Sequence, residues 1–145
     1  MGKPPVAPGE PVGTLRVMKD SFEPGIVRQI EVVVTEDMCP AFDGIVVHRV
    51  YSTWSMVHHM ELAARRVLVD YLEEDEEGIG TRIAVDHRSP AAVGTRVRVR
   101  AELTERTDRR VVCELEAYDG TRLLARGRQI QIVMNKQRLK AHIER

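Results

Sequence analysis

The chain has 145 residues, 43% apolar and 30% charged, with 22 basic and 22 acidic side chains. That is one ordinary domain, able to bury a core without disulfides or a structural metal, and its balanced charge offers no field to attract nucleic acid or an anionic membrane. No apolar run approaches the roughly 20 residues of a membrane-spanning helix. The opening Met1-Gly2-Lys3-Pro4-Pro5-Val6 has no apolar signal segment, so a cytoplasmic protein is expected. Cys39 and Cys113 match no metal-ligand or redox spacing, which predicts two reduced thiols.

Residues 1–25 hold Pro4, Pro5, Pro8, Pro11 and Pro24 and read as an extended arm ahead of a domain over 26–145. Residues 26–36 are rich in β-branched side chains and predict a first strand. A loop through Pro40, Asp43 and Gly44 follows, and Val46 to Tyr51 is a short extended segment. From Ser55 to about Glu74, Val57, Met60, Ala64, Val67, Leu68 and Tyr71 recur every three or four residues. This spacing predicts one long helix, with Ser52, Thr53 and Ser55 as candidate caps and its end before Gly78 and Gly80.

Two-residue alternation then takes over. Ile83, Val85 and His87 share one face of a strand; Val97, Val99, Ala101 and Leu103 share one face of the next, with Arg96, Arg98 and Arg100 opposite as a solvated row. Asp108-Arg109-Arg110 and Asp119-Gly120 predict turns that bound strands over 111–118 and 123–134, and the tail from Asn135 predicts a short helix. One strand, a long helix and a run of antiparallel strands describe an α+β fold: a curved antiparallel sheet wrapped around one central helix. The edges of such a sheet need cover, and pairing two sheets in a homodimer supplies it.

Two polar residues interrupt the apolar pattern. Glu61 lies beside Val57, Met60, Ala64 and Leu68, and His87 points inward with Ile83 and Val85. Either can be structural, Glu61 on the border of the stripe reaching water or in a buried ion pair, His87 as a satisfied core imidazole; packed together, each reduces the other's desolvation cost. Thr53 stands at the helix start, where it can serve as a cap or join a site for carbonyl addition beside unpaired N–H groups. Together Thr53, Glu61 and His87 can supply a hydroxyl, a carboxylate and a proton carrier. His58 and His59 point about 100° apart on a helix, and no His-Glu-x-x-His order is present, so no metal is expected. There is also no glycine-rich phosphate loop and no nucleophile elbow.

The segment Thr53-Trp54-Ser55-Met56-Val57-His58-His59-Met60-Glu61, followed by Gly80-Thr81-Arg82-Ile83-Ala84-Val85-Asp86-His87, resembles the hot-dog-fold thioesterases of the fluoroacetyl-CoA thioesterase type. Their pattern is a Thr, a Glu eight residues on, and a His 26 residues later, and these intervals fall on Thr53, Glu61 and His87. The resemblance implies a dimeric hot-dog fold with its pocket across the dimer interface. It implies hydrolysis of an acyl-CoA, with catalytic Thr53, Glu61 and His87 and no cofactor beyond the coenzyme A of the substrate. Trp54, Ser55, His58 and Gln131 are the implied substrate contacts, Gln131 replacing a late-strand arginine of the family. The aromatic lid residues that precede the Thr in fluoroacetyl-specific members have no counterpart in Gly44-Ile45-Val46-Val47-His48, which argues against fluoroacetyl selectivity. A non-catalytic acyl-CoA or acyl-ligand binding protein on the same fold remains an alternative. An enoyl-CoA hydratase reading lacks its Asp-x4-His arrangement. Dimer and tetramer are both open at this stage.

Overall fold

The computed structural model describes residues 17–145. Its elements are β1 (Val27–Val33), a single 3₁₀ turn (Glu36–Met38), β2 (Ala41–Phe42), β3 (Ile45–Val46), α1 (Thr53–Val69), β4 (Glu76–His87), β5 (Arg96–Thr107), β6 (Arg110–Asp119), β7 (Arg122–Asn135) and α2 (Lys136–Ile143). The five long strands form one antiparallel sheet in the order β1-β5-β6-β7-β4, and β2 and β3 make a separate two-residue hairpin. Helix α1 lies across the inner face of the sheet, so the fold is the expected hot-dog arrangement.

Alternation along β5 decides which face is covered. Val97, Val99, Ala101 and Leu103 are buried beneath α1, against Met56, Met60, Ala63, Ala64, Val67 and Leu68 of the helix. The opposite face is a solvated charge ladder. Arg96 pairs with Glu31, Arg100 with Glu102 and Glu116, and Arg98 lies over the Tyr118 ring.

Three local expectations change. Helix α1 stops at Val69 instead of running to Glu74, because Tyr71 turns to stack on Phe22 with centroids 4.9 Å apart, and its carbonyl accepts Lys19 N–H. Gly78 and Gly80, predicted to end the helix, lie inside β4. A Cβ on Gly78 would sit 2.5 Å from Leu68 Cδ2, so glycine lets α1 approach the strand closely. The segment expected to be extended over 46–51 divides: Val46 ends β3, in a hairpin that turns at Asp43 (φ 52°) and Gly44 (φ 79°), and Val50 makes an isolated bridge with Ala92.

Of the N-terminal arm, residues 1–16 lie outside the described residues. The remainder packs over one end of the sheet. Met18 and Phe22 are buried, the Glu76 carboxylate accepts Met18 N–H at 3.0 and 3.1 Å, and the Arg106 guanidinium donates to the carbonyls of Val17, Lys19 and Phe22. Cys39 and Cys113 are both free and buried, and burial pushes the Cys113 thiol up to about 12. Among the described residues no helix is long and apolar enough to cross a membrane.

Candidate active site

The segment entering α1 is tied down on both sides. Ser52 N–H donates to the Met38 carbonyl at 2.9 Å, Tyr51 N–H donates to the Ala91 carbonyl at 2.8 Å, and Val50 bridges Ala92. The loop that follows β4 is therefore held beside the start of the helix, and Thr53 meets His87. Their side chains are bonded, Thr53 Oγ1 to His87 Nδ1 at 2.9 Å. The other ring nitrogen, Nε2, lies 3.0 Å from the Ser89 carbonyl, which can only accept. Nε2 thus carries the proton of the neutral ring, and Nδ1 is left as a base that accepts the Thr53 hydroxyl.

Thr53 is not the helix cap. That role belongs to Ser52, whose side chain accepts Ser55 N–H, and Thr53 is the first helical residue. Capping therefore leaves the Thr53 hydroxyl free for His87. It also leaves the amides of Thr53 and Trp54, which precede the first helical bond from Met56 N–H to the Ser52 carbonyl, facing the same end.

Glu61 departs from the sequence expectation. The inward stripe is rotated, with Met56, His59, Met60, Ala63 and Ala64 buried, while Val57 is half-buried and Glu61 is exposed at its border. Eight residues of helix separate Thr53 from Glu61 by about 12 Å of rise. Within one chain, then, Thr53 and His87 come together and Glu61 does not join them. Its carboxylate lies over Gly80: a Cβ there would be 3.2 Å from Glu61 Oε1 and 3.2 Å from Gln129 Nε2.

The other anticipated contacts divide between surface and core. Trp54 is 48% exposed and meets the Phe42 ring edge-on at 5.5 Å; Ser55 is half-buried and His58 is exposed. Gln131 is buried, and its Nε2 donates to the Ala64 carbonyl at 3.1 Å, bracing β7 against α1. His59 turns inward, and its Nδ1 is hydrogen-bonded to the hydroxyl of the fully buried Tyr51. Burial, and then the neighbouring His58, hold its pKa below the usual imidazole value.

Two features escaped the sequence reading. Phe42 stands with Ile45, Val46 and Val47 as an exposed apolar rim beside Trp54, and its signal was Asp43-Gly44 between apolar residues. Gln129 is 2% exposed, and its Oε1 has no partner among the described residues. Its signal was position, since Gln129, Gln131 and Val133 alternate onto the inner face of β7.

The family model for the fluoroacetyl-CoA-specific thioesterase FlK matches residues 34–137. The fluoroacetyl-CoA thioesterase of Streptantibioticus cattleyicolor is 33% identical over 94 residues, covering 65% of this chain and 68% of that protein. A thioesterase superfamily member from Thermus thermophilus, described as a hypothetical protein, superposes with a TM-score of 0.82 at 37% identity, covering 86% of this chain and 93% of its own. A variant of the fluoroacetyl-CoA-specific thioesterase FlK superposes with a TM-score of 0.78 at 27% identity, covering 87% and 98%.

Proposed function

The chain belongs to the fluoroacetyl-CoA-specific thioesterase family and is a thioester hydrolase, and from that premise we propose that it cleaves a small or medium acyl-CoA with Thr53, Glu61 and His87. The products are the carboxylate and free coenzyme A. The observation that carries this reading is the hydroxyl–imidazole bond at the start of α1, with the second imidazole nitrogen held by the Ser89 carbonyl. In this reading the thioester carbonyl lies at that helix end, where the amides of Thr53 and Trp54 stabilise the oxyanion. The Glu61 carboxylate orients a water whose oxygen adds to the carbonyl carbon while its proton passes through the Thr53 hydroxyl to His87 Nδ1. As the C–S bond breaks, that proton returns by the same route to the departing sulfur, and the new carboxylic acid loses its remaining proton to solvent.

The separation of Glu61 from Thr53 along α1 favours a site shared between two copies. Strand β4 is an edge of the sheet, so its outer backbone groups are open to pairing. A homodimer joined there sets the two α1 helices side by side and places the Glu61 of each copy near the Thr53–His87 pair of the other. Trp54 and His58 then line the mouth. The apolar rim of Phe42, Ile45, Val46 and Val47 favours an apolar acyl chain over a fluoroacetyl group.

A thiol-release screen from acetyl-CoA through decanoyl-CoA and fluoroacetyl-CoA tests the activity. The expected result is the highest kcat/KM on an apolar acyl group, with turnover lost in Glu61→Gln and in His87→Ala; release from none of these substrates would refute the reading. Co-expression of those two variants tests the sharing. Mixed dimers carry one intact site, so activity should return; if it stays absent in isolated mixed dimers, all three residues act from one chain.

A further inference from the structure

We propose that Gln129 is a positioning residue for Glu61, its Nε2 N–H aiming the carboxylate from across the notch above Gly80. This rests on the catalytic reading of Glu61 given above and adds a residue to it. Three observations converge. Gln129 is 2% exposed on the inner face of β7, an unfavourable place for an amide unless a polar partner compensates it. Its Oε1 has no partner among the described residues, so the oxygen end does not account for the amide being there. Its Nε2 and Glu61 Oε1 both lie 3.2 Å from the point a Gly80 Cβ would occupy, so donor and carboxylate face one small space that glycine leaves open.

The neighbouring glutamine sharpens the contrast. Gln131, two residues on and on the same face, donates to the Ala64 carbonyl and is accounted for as a brace. Gln129 has no such tie to the backbone of α1. Its nitrogen and the Glu61 carboxylate oxygen face the space over Gly80 from β7 and from α1. In the reverse amide orientation Oε1 would face Glu61 Oε1, two acceptors together, which disfavours that assignment.

The charged groups around Glu61 leave this role open. On α1 the neighbours one turn away are His58, which is exposed, and Arg65, which pairs with Glu77 at 2.6 Å and donates to the Gly78 carbonyl at 3.2 Å. From β4 the strand presents Gly80, with Glu77 held by Arg65; from β7 it is the uncharged amides of Gln129 and Gln131 that face inward. The donor nearest the notch is therefore an amide.

Gln129→Met keeps the side-chain length and removes both N–H donors. The expected result is a fall in kcat of about tenfold with KM within about twofold, the scale of one lost hydrogen bond to a charged group. Gly80→Ala is the second variant. Gly80 is exposed and has no left-handed backbone, and the added methyl fills the notch against the ends of two flexible side chains, so kcat should fall with KM nearly unchanged there too. A folded Gln129→Met or Gly80→Ala enzyme with wild-type kcat would overturn the proposal, and Gly80→Ala decides alone where Gln129→Met fails to fold. Glu61→Gln, assayed in parallel, separates the two readings. Retained turnover there defeats the catalytic role of Glu61 itself, whereas lost turnover beside wild-type Gln129→Met and Gly80→Ala profiles defeats only the role of Gln129.

Discussion

Among the described residues, two hydroxyl–imidazole pairs have similar chemistry and opposite surroundings. Tyr51 and His59 are bonded in the core, where the tyrosine is fully buried. Thr53 meets His87 at the rim, where the threonine is exposed and the imidazole half-buried. Burial holds the His59 pKa below the usual imidazole value, and the ring lies in the core at 9% exposure. His87 has the same kind of bond, a backbone carbonyl fixing its tautomer, and open space beside the hydroxyl. On the proposed catalytic role of His87, what separates it from His59 is access, since the partner atoms are nearly alike.

The largest expected effect breaks that comparison from the reactive side: His87→Ala should lower kcat by about a thousandfold, within the span usual for a general acid–base group, with little change in the urea midpoint. His59→Ala should do the reverse. It should destabilise the fold by about 2–3 kcal/mol through the cavity and the unpaired Tyr51 hydroxyl, while kcat per folded molecule stays within about threefold.

A smaller effect follows from acid. Folded His59 binds its proton below the unfolded value of about 6.5, so on acidification through that pH the unfolded chain gains protons first and stability falls; above it this contribution is fully present. Denaturation midpoints measured from about pH 7 to pH 5 should show that slope, and Tyr51→Phe combined with His59→Leu should flatten it. An unchanged slope in the double variant would assign the acid sensitivity elsewhere.

The smallest effect sharpens the division of labour at the helix start. Ser52→Ala should cost about 1 kcal/mol of stability as a lost cap. Thr53→Val should leave stability nearly unchanged and reduce turnover, because the Thr53 hydroxyl faces His87 and not the helix amides. Thermal melts and thiol-release rates on the same samples check both.

The order and type of the main elements were readable along the chain, because each depends on a local period. Arg96 to Leu103 alternates by two, and the helical stretch repeats at three to four, whatever packs against it. Element ends were less legible. Val69 ends α1 because Tyr71 is drawn to Phe22, a residue far away in sequence, and Gly78 sits in a strand because Leu68 comes within touching distance of it.

The candidate site shows the same division. Spacing and residue type singled out Thr53, Glu61 and His87, since a hydroxyl at a helix start and polar residues at apolar positions are visible as departures from a pattern. Sequence could not tell that Ser52 takes the cap, that Glu61 lies at the border of the stripe, or that His59 and not His58 turns inward. Those outcomes depend on the rotation of α1 about its own axis, and the packing of the whole inner face of the sheet sets that angle. By itself, then, the sequence determined the elements, the faces of the strands and the residues able to do chemistry, all encoded in local period. The tertiary structure alone decided which of those residues meet, because contact between Thr53 and His87 depends on two loops being held together by the backbone bonds at Tyr51 and Val50.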